Sequence, residues 1–136
     1  MEKQSFKAYV VEEQDGNYTG GVKTKLLEEL PEGDLLIKVY YSSLNYKDAL
    51  SASGNKGVTK NYPHTPGIDA VGKIVHTNNP DFKMDEEVIV TSYDLGMNTD
   101  GGFGQYIRVP TSWAVRLPKN MSMKEAMIYG TAGLTA

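Results

Sequence analysis

At 136 residues, with a formal net charge of −3, 40% apolar and 23% charged residues, the sequence has the proportions of one soluble globular domain. The 14 basic residues are scattered, which disfavours nucleic acid as a partner, and no run of about 18 apolar residues offers a membrane span. Cysteine is absent, which excludes disulfides and thiolate zinc sites, and His64 and His76 lack the spacing of a helical metal pair. A reducing, cytoplasmic setting is the expectation.

In chain order, Ser5–Glu12 alternates at period two and predicts a strand, closed by a turn at Asp15-Gly16-Asn17. Val22–Leu30 mixes strand-forming and charged residues, and Pro31-Glu32-Gly33-Asp34 is a second turn. Leu35–Tyr41 is an apolar run that reads as a buried strand. It leads through Ser42-Ser43 to a short helix opened by Asn45, a favoured N-cap, with Asp48 three residues on as a loose capping box. This places an amide, a phenol, an ammonium and a carboxylate together where a core strand ends, a pattern suited either to a polar ligand or simply to starting a helix.

Residues 51–66 read as a long loop with two prolines, followed by a strand over 68–75 that carries Asp69 and Gly72. Glycine inside a strand predicts a bulge or a close backbone approach. Asp69 on an apolar strand needs partners, and Lys47 or a backbone turn is the expected pairing. His64, in a proline-flanked loop, is expected at the surface or in a hydrogen bond. Short strands are predicted near 87–91, 103–109 and 113–118, giving an all-β barrel or sandwich over most of the length.

Ser122-Met123-Lys124-Glu125 is a capping box, and the helix it opens is expected to stop at Gly130. The small-residue segment 130–136 then reads as the start of another element, so the chain is expected to be the front part of a longer polypeptide. Gly101-Gly102-Phe103-Gly104 lacks the strand-before, helix-after setting of a dinucleotide fingerprint and is rejected as one. A hydrolase pairing of Ser112 with His64 has no support in spacing.

Several of these pieces occur in a telling order: Pro31–Asp34, Ser42–Leu50, Pro66–Gly72, Gly101–Phe103 with Tyr106 and Val109-Pro110, then Gly130–Ala136. Together they resemble the N-terminal, GroES-like catalytic domain of the medium-chain dehydrogenase/reductases. Ser-Ser-Leu-Asn-Tyr-Lys-Asp-Ala resembles the quinone oxidoreductase and acrylyl-CoA reductase branch. The fold implied is mainly β, a partly open GroES-like barrel with short helices. Residues 1–121 would form that domain, and 122–136 a helical connection into a nucleotide-binding Rossmann domain not present here.

The zinc-dependent members of the superfamily carry Cys where this chain has Asn45, and Gly-His-Glu where it has Gly67-Ile68-Asp69. The resemblance is therefore to the zinc-free reductases. It implies NADP(H) as cofactor, no metal, and reduction of an activated C=C bond or a quinone. Tyr46 is the implied proton donor, and Asp48 orients the site or the cofactor ribose. Asn45, Tyr46, Lys47 and Thr131 are the implied cofactor contacts. The implied partners are a small-molecule substrate and the Rossmann domain of the same chain, with no nucleic acid or membrane; a homodimer is compatible. On this reading the fragment alone is inactive. The competing reading is a non-catalytic GroES-like barrel that serves as a binding or interaction module.

Overall fold

The computed structural model describes residues 4–91 and 93–134, with side chains described through Ile128. Strands β1 (Ser5–Gln14) and β2 (Asn17–Leu26) form a hairpin. Its two-residue loop, Asp15-Gly16, has φ of 53° and 81°. Positive φ at both positions is the requirement of the tight hairpin turn that Asp-Gly satisfies. Along β1, Phe6, Ala8 and Val10 are buried at period two, and Val11 joins them.

The second sheet has the order β6-β3-β4-β5-β7 and is antiparallel throughout. Its strands are β3 (Leu35–Ser42), β4 (Ala70–Thr77), β5 (Glu87–Val90), β6 (Tyr106–Val109) and β7 (Ala114–Arg116). Leu35, Ile37, Ile74, Val88, Leu95, Ile107 and Val109 make its core. The run read as a buried strand, 35–41, is buried only at its start. Tyr40 and Tyr41 are 45% and 44% exposed, because β3 outruns the end of β6.

The two sheets close on each other through backbone bonds that no local pattern signals. Tyr9 donates to the Phe103 carbonyl (2.7 Å), Gln105 to Lys7 (2.9 Å), and Val11 and His64 exchange bonds of 2.8 and 2.9 Å. The result is the mainly β, partly open barrel expected of the GroES-like fold. Gly72 sits opposite Val39, where β3 and β4 slip register, and a Cβ there would lie 1.9 Å from the Lys38 carbonyl oxygen. The close approach predicted for that glycine is what the sheet requires.

Helix α1 (Tyr46–Ala52) follows β3, and helix α2 (Met123–Leu134) follows β7. The capping box that opens α2 is present: Glu125 N–H donates to Ser122 Oγ and Ser122 N–H to the Glu125 carboxylate, both 3.1 Å. Ala126 and Met127 then pack on Val71 and Ile89. The expected stop at Gly130 is overturned, since the helix runs on to Leu134. An interior glycine costs a helix only about 1 kcal/mol relative to alanine. Nothing in Thr131-Ala132-Gly133-Leu134 removes a backbone donor as proline would. Thr135 and Ala136, the end of the small-residue motif, lie outside the described residues.

Candidate active site

The site forms where β3 gives way to α1. Asn45 is the N-cap in extended conformation (φ −124°, ψ 162°), and its backbone carbonyl accepts the Asp48 N–H at 3.0 Å. The Asp48 carboxylate returns the contact, accepting the Asn45 N–H at 2.8 Å. Its other oxygen accepts the N–H groups of Gly67 (3.1 Å) and Ile68 (2.9 Å). Asp48 is only 1% exposed. Burial pushes its pKa above the ordinary carboxylate value, against the pull of those N–H donors and with Asp69 adding repulsion. It fastens the start of α1 to the Pro66-Gly67-Ile68 segment. Gly67 has φ +114°, and a Cβ on it would lie 2.6 Å from the Gly102 nitrogen. The Gly101-Gly102 pair rejected as a nucleotide fingerprint thus packs backbone to backbone on Gly67.

Asp69 is fully buried. The partners that emerge for it are Ser43 Oγ (2.7 Å) and Asn45 Nδ2 (2.8 Å), both donating to Oδ2. Asn45 therefore spends its amide on a carboxylate. Ser43 was not singled out as a site residue; its signal was a small hydroxyl directly after a core strand and within reach of a buried acid.

Tyr46 and Lys47 are exposed, with Tyr46 79% and Leu44 80% accessible. The structure thus gathers Asn45, Tyr46, Lys47 and Asp48 at one helix end and separates them by depth. Asp48 faces the interior, Asn45 is half-buried, and Tyr46 is in the open. The backbone of Thr131 lies in α2, and its side chain is outside the described residues. Next to this wall, a cavity of about 360 Å³ lies between the end of β3 and α2, bounded by Ser42, Ser43, Leu44, Lys124, Met127 and Ile128. Among the described residues no three His, Cys, Asp or Glu side chains converge as a metal site.

His64 is buried rather than at the surface, at 3% exposure. Its Nε2 is 2.8 Å from the Gly96 carbonyl oxygen and its Nδ1 3.9 Å from Asp100. Asp100 is paired in turn with Lys25. Burial lowers the His64 pKa below its ordinary value, so the ring is neutral and donates from Nε2.

The profile of the alcohol dehydrogenase GroES-like domain matches residues 31–119. The chain belongs to the alcohol dehydrogenase GroES-like domain family. Among its GroES-like relatives is YhfP of Bacillus subtilis, which bears a quinone oxidoreductase name. It is 47% identical over 131 residues, covering 96% of this chain and 40% of YhfP. The acrylyl-CoA reductase AcuI of Ruegeria pomeroyi is 37% identical, with coverage of 96% and 40%. The yhdH oxidoreductase of Salmonella enterica, solved with NADP, superposes with a TM-score of 0.92 at 40% identity, covering 95% of this chain and 40% of its own. YhfP, solved with NAD bound, gives 0.92 at 46% identity. The chain thus spans about 40% of the length of the relatives it matches.

Proposed function

We propose that this GroES-like domain is the substrate-facing wall of a nicotinamide-dependent reductase acting on an activated C=C bond, as in an α,β-unsaturated thioester or ketone, or on a quinone. One observation carries the reading: a phenol, Tyr46, stands in the open on a helix end that two buried acids hold in place. That leaves the phenol free of the fold, as a donor to substrate requires. Relatives solved with NADP and with NAD, and one named as an acrylyl-CoA reductase, support it. Residues 1–121 would be the catalytic domain and 122–136 the connection into the nucleotide-binding domain, in a cytoplasmic enzyme. The isolated chain would then not turn over substrate.

The residues present suit a nicotinamide nucleotide. The cavity beside α2 combines serine hydroxyls and the Lys124 ammonium with the apolar surface of Leu44, Met127 and Ile128. Asn45, Tyr46, Lys47 and Thr131 would hold the cofactor, NADP(H). When bound, it supplies the hydride. In the absence of zinc, negative charge developing on the substrate carbonyl oxygen has to be met by donors on this chain. Tyr46 donates its hydroxyl proton, and Lys47, its neighbour, favours the resulting negative charge. Asn45 is kept in one orientation by Asp69. Asp48 acts as a positioning residue, because its oxygens are occupied by backbone N–H groups.

Tyr46→Phe in the full-length protein tests this. A loss of ~10²-fold or more in kcat is expected of a general acid. A rate within a few-fold of wild type removes Tyr46 from that role. Fluorescence titration with NADPH and NADH tests the cofactor, and binding of neither favours the non-catalytic module.

A further inference from the structure

Leu44 borders two cavities. One is the cavity beside α2; the other, of about 400 Å³, is walled by Tyr9, Asp48, Ala49, Ala52 and Phe103. Helix α1 is fastened elsewhere, by Asp48 to Gly67 and Ile68 and by Ser51, whose buried hydroxyl lies 2.5 Å from Thr59 Oγ1. Ala49 and Ala52, three residues apart, share one face of that helix and offer the cavity only methyl groups. A longer side chain at either position would fill the space. The Tyr9 ring is seated by Gly20 on β2, where a Cβ would overlap its hydroxyl oxygen. The bond from the Tyr9 N–H to the Phe103 carbonyl, 2.7 Å, ties the two aromatic residues together.

These walls include no Lys, Arg or His. Asp48 is their one charged residue, and its carboxylate oxygens are taken by the N–H groups of Asn45, Gly67 and Ile68. An anionic ligand would find no cation here, whereas a hydrocarbon chain would exchange water for methyl and ring surface. The cavity is also continuous with the candidate site. Tyr46 precedes Ala49 by three residues on α1, about one turn of helix, and Leu44 joins this cavity to the one beside α2.

We infer that this cavity receives an unbranched alkyl chain carried on the carbonyl carbon of an enone, and that Ala52, Tyr9 and Phe103 set the length accepted. The inference rests on the reductase reading and deepens it. With hydride delivered from the side of α2 and the carbonyl oxygen met by Tyr46, the alkene end of the substrate points toward α2. The substituent on the other side of the carbonyl then follows α1 past Ala49 toward Ala52. The substrate class is an alkyl vinyl ketone. A quinone has no such chain, and an acyl thioester would place its sulfur and a polar carrier arm in this apolar space.

The experiment measures kcat/KM of the full-length enzyme with NADPH on vinyl ketones whose alkyl group lengthens from methyl to heptyl. In wild type it should rise by about two- to fourfold per methylene while the chain is being buried, then level off. A flat series overturns the subsite and needs no variant. In Ala52→Phe the ring occupies the cavity, and the heptyl-to-methyl ratio of kcat/KM should fall by about tenfold or more. Ala52→Leu, a smaller change, should lower the ratio in the same direction if the phenylalanine variant does not fold. A ratio unchanged in a folded variant overturns the subsite. Tyr9 also borders the neighbouring groove with Tyr40, so Tyr9→Ala should join the two spaces and move the plateau to longer chains. An unmoved plateau overturns the role of Tyr9. Reduction of quinones or acyl thioesters but of no vinyl ketone overturns the subsite and leaves the reductase reading intact. If no acceptor is reduced, the reductase reading fails, and calorimetric titration with the saturated ketone 2-nonanone still decides the cavity. Binding weakened about tenfold in Ala52→Phe supports it, and no binding, or equal binding, overturns it.

Discussion

Replacing Asp48 by alanine removes the acceptor for the N–H groups of Asn45, Gly67 and Ile68. Gly67 and Ile68 are buried, so their donors lose a partner that water cannot readily replace, at about 1–3 kcal/mol each. The Asn45 N–H is half-buried and can be hydrated. Against this, the burial cost of an ionised carboxylate disappears, leaving a net loss of roughly 2–4 kcal/mol. Asp48→Asn keeps one acceptor oxygen for the Gly67 and Ile68 pair but turns an amide donor toward the Asn45 N–H, and should cost about 1–2 kcal/mol. Urea unfolding followed by Trp113, which stacks on Tyr93 at 5.6 Å, measures both. The pH dependence is the sharper test. The folded pKa of Asp48 lies above its ordinary 3.8, so the folded state holds this proton more tightly than the unfolded state. Its contribution to stability therefore falls as pH rises from near 3.8 through the folded pKa, then levels off. Asparagine does not titrate, so the stability gap between wild type and Asp48→Asn should narrow over that window. A gap that widens with rising pH would mean that the three N–H donors outweigh burial, and would refute the balance drawn here.

His64 provides a test of opposite sign. Its folded pKa lies below 6.5, so the unfolded chain takes up the proton first as pH falls, and stability is lost from about there downward through the folded pKa. His64→Gln keeps a donor for the Gly96 carbonyl without titrating, and its urea midpoint should change less with pH below 6.5; an undiminished acid sensitivity would show that another group is responsible. Gly72→Ala would place a methyl 1.9 Å from the Lys38 carbonyl oxygen and force β3 and β4 apart. A loss of about 3 kcal/mol in denaturant titration is expected, and a loss under about 1 kcal/mol would show that the sheet yields there.

Features with a local cause were legible in the sequence. The Asp15-Gly16 hairpin, the Ser122–Glu125 capping box and the close approach at Gly72 each follow from a few neighbouring residues and a fixed backbone demand. The closure of the barrel was not. It depends on residues 103–105 meeting β1 across more than 90 positions, through backbone groups that every residue carries alike. Of the two settings expected for His64, the surface or a hydrogen bond, the structure shows the second, and its burial was not legible for the same reason. Its burial is set by Val11 and Gly96, which only the closed barrel brings near.

At the candidate site the division falls within a single residue. Asn45 starts a helix, as its side chain suggested, but the helix end is fastened by Asp48 from inside while the Asn45 amide turns to Asp69. The Asn45 amide nitrogen donates to the buried carboxylate 24 positions away, a charge-assisted bond roughly twice as strong as one between neutral groups and one that no local pattern signals. The consequence reaches the neighbouring residue. With Asp48 holding the turn and Asp69 holding Asn45, the fold asks nothing of Tyr46, which is left accessible on a rigid support. Two buried carboxylates thus fix the helix end that carries Tyr46, and this is why the acids, rather than Tyr46 itself, are the residues whose loss should disturb the fold.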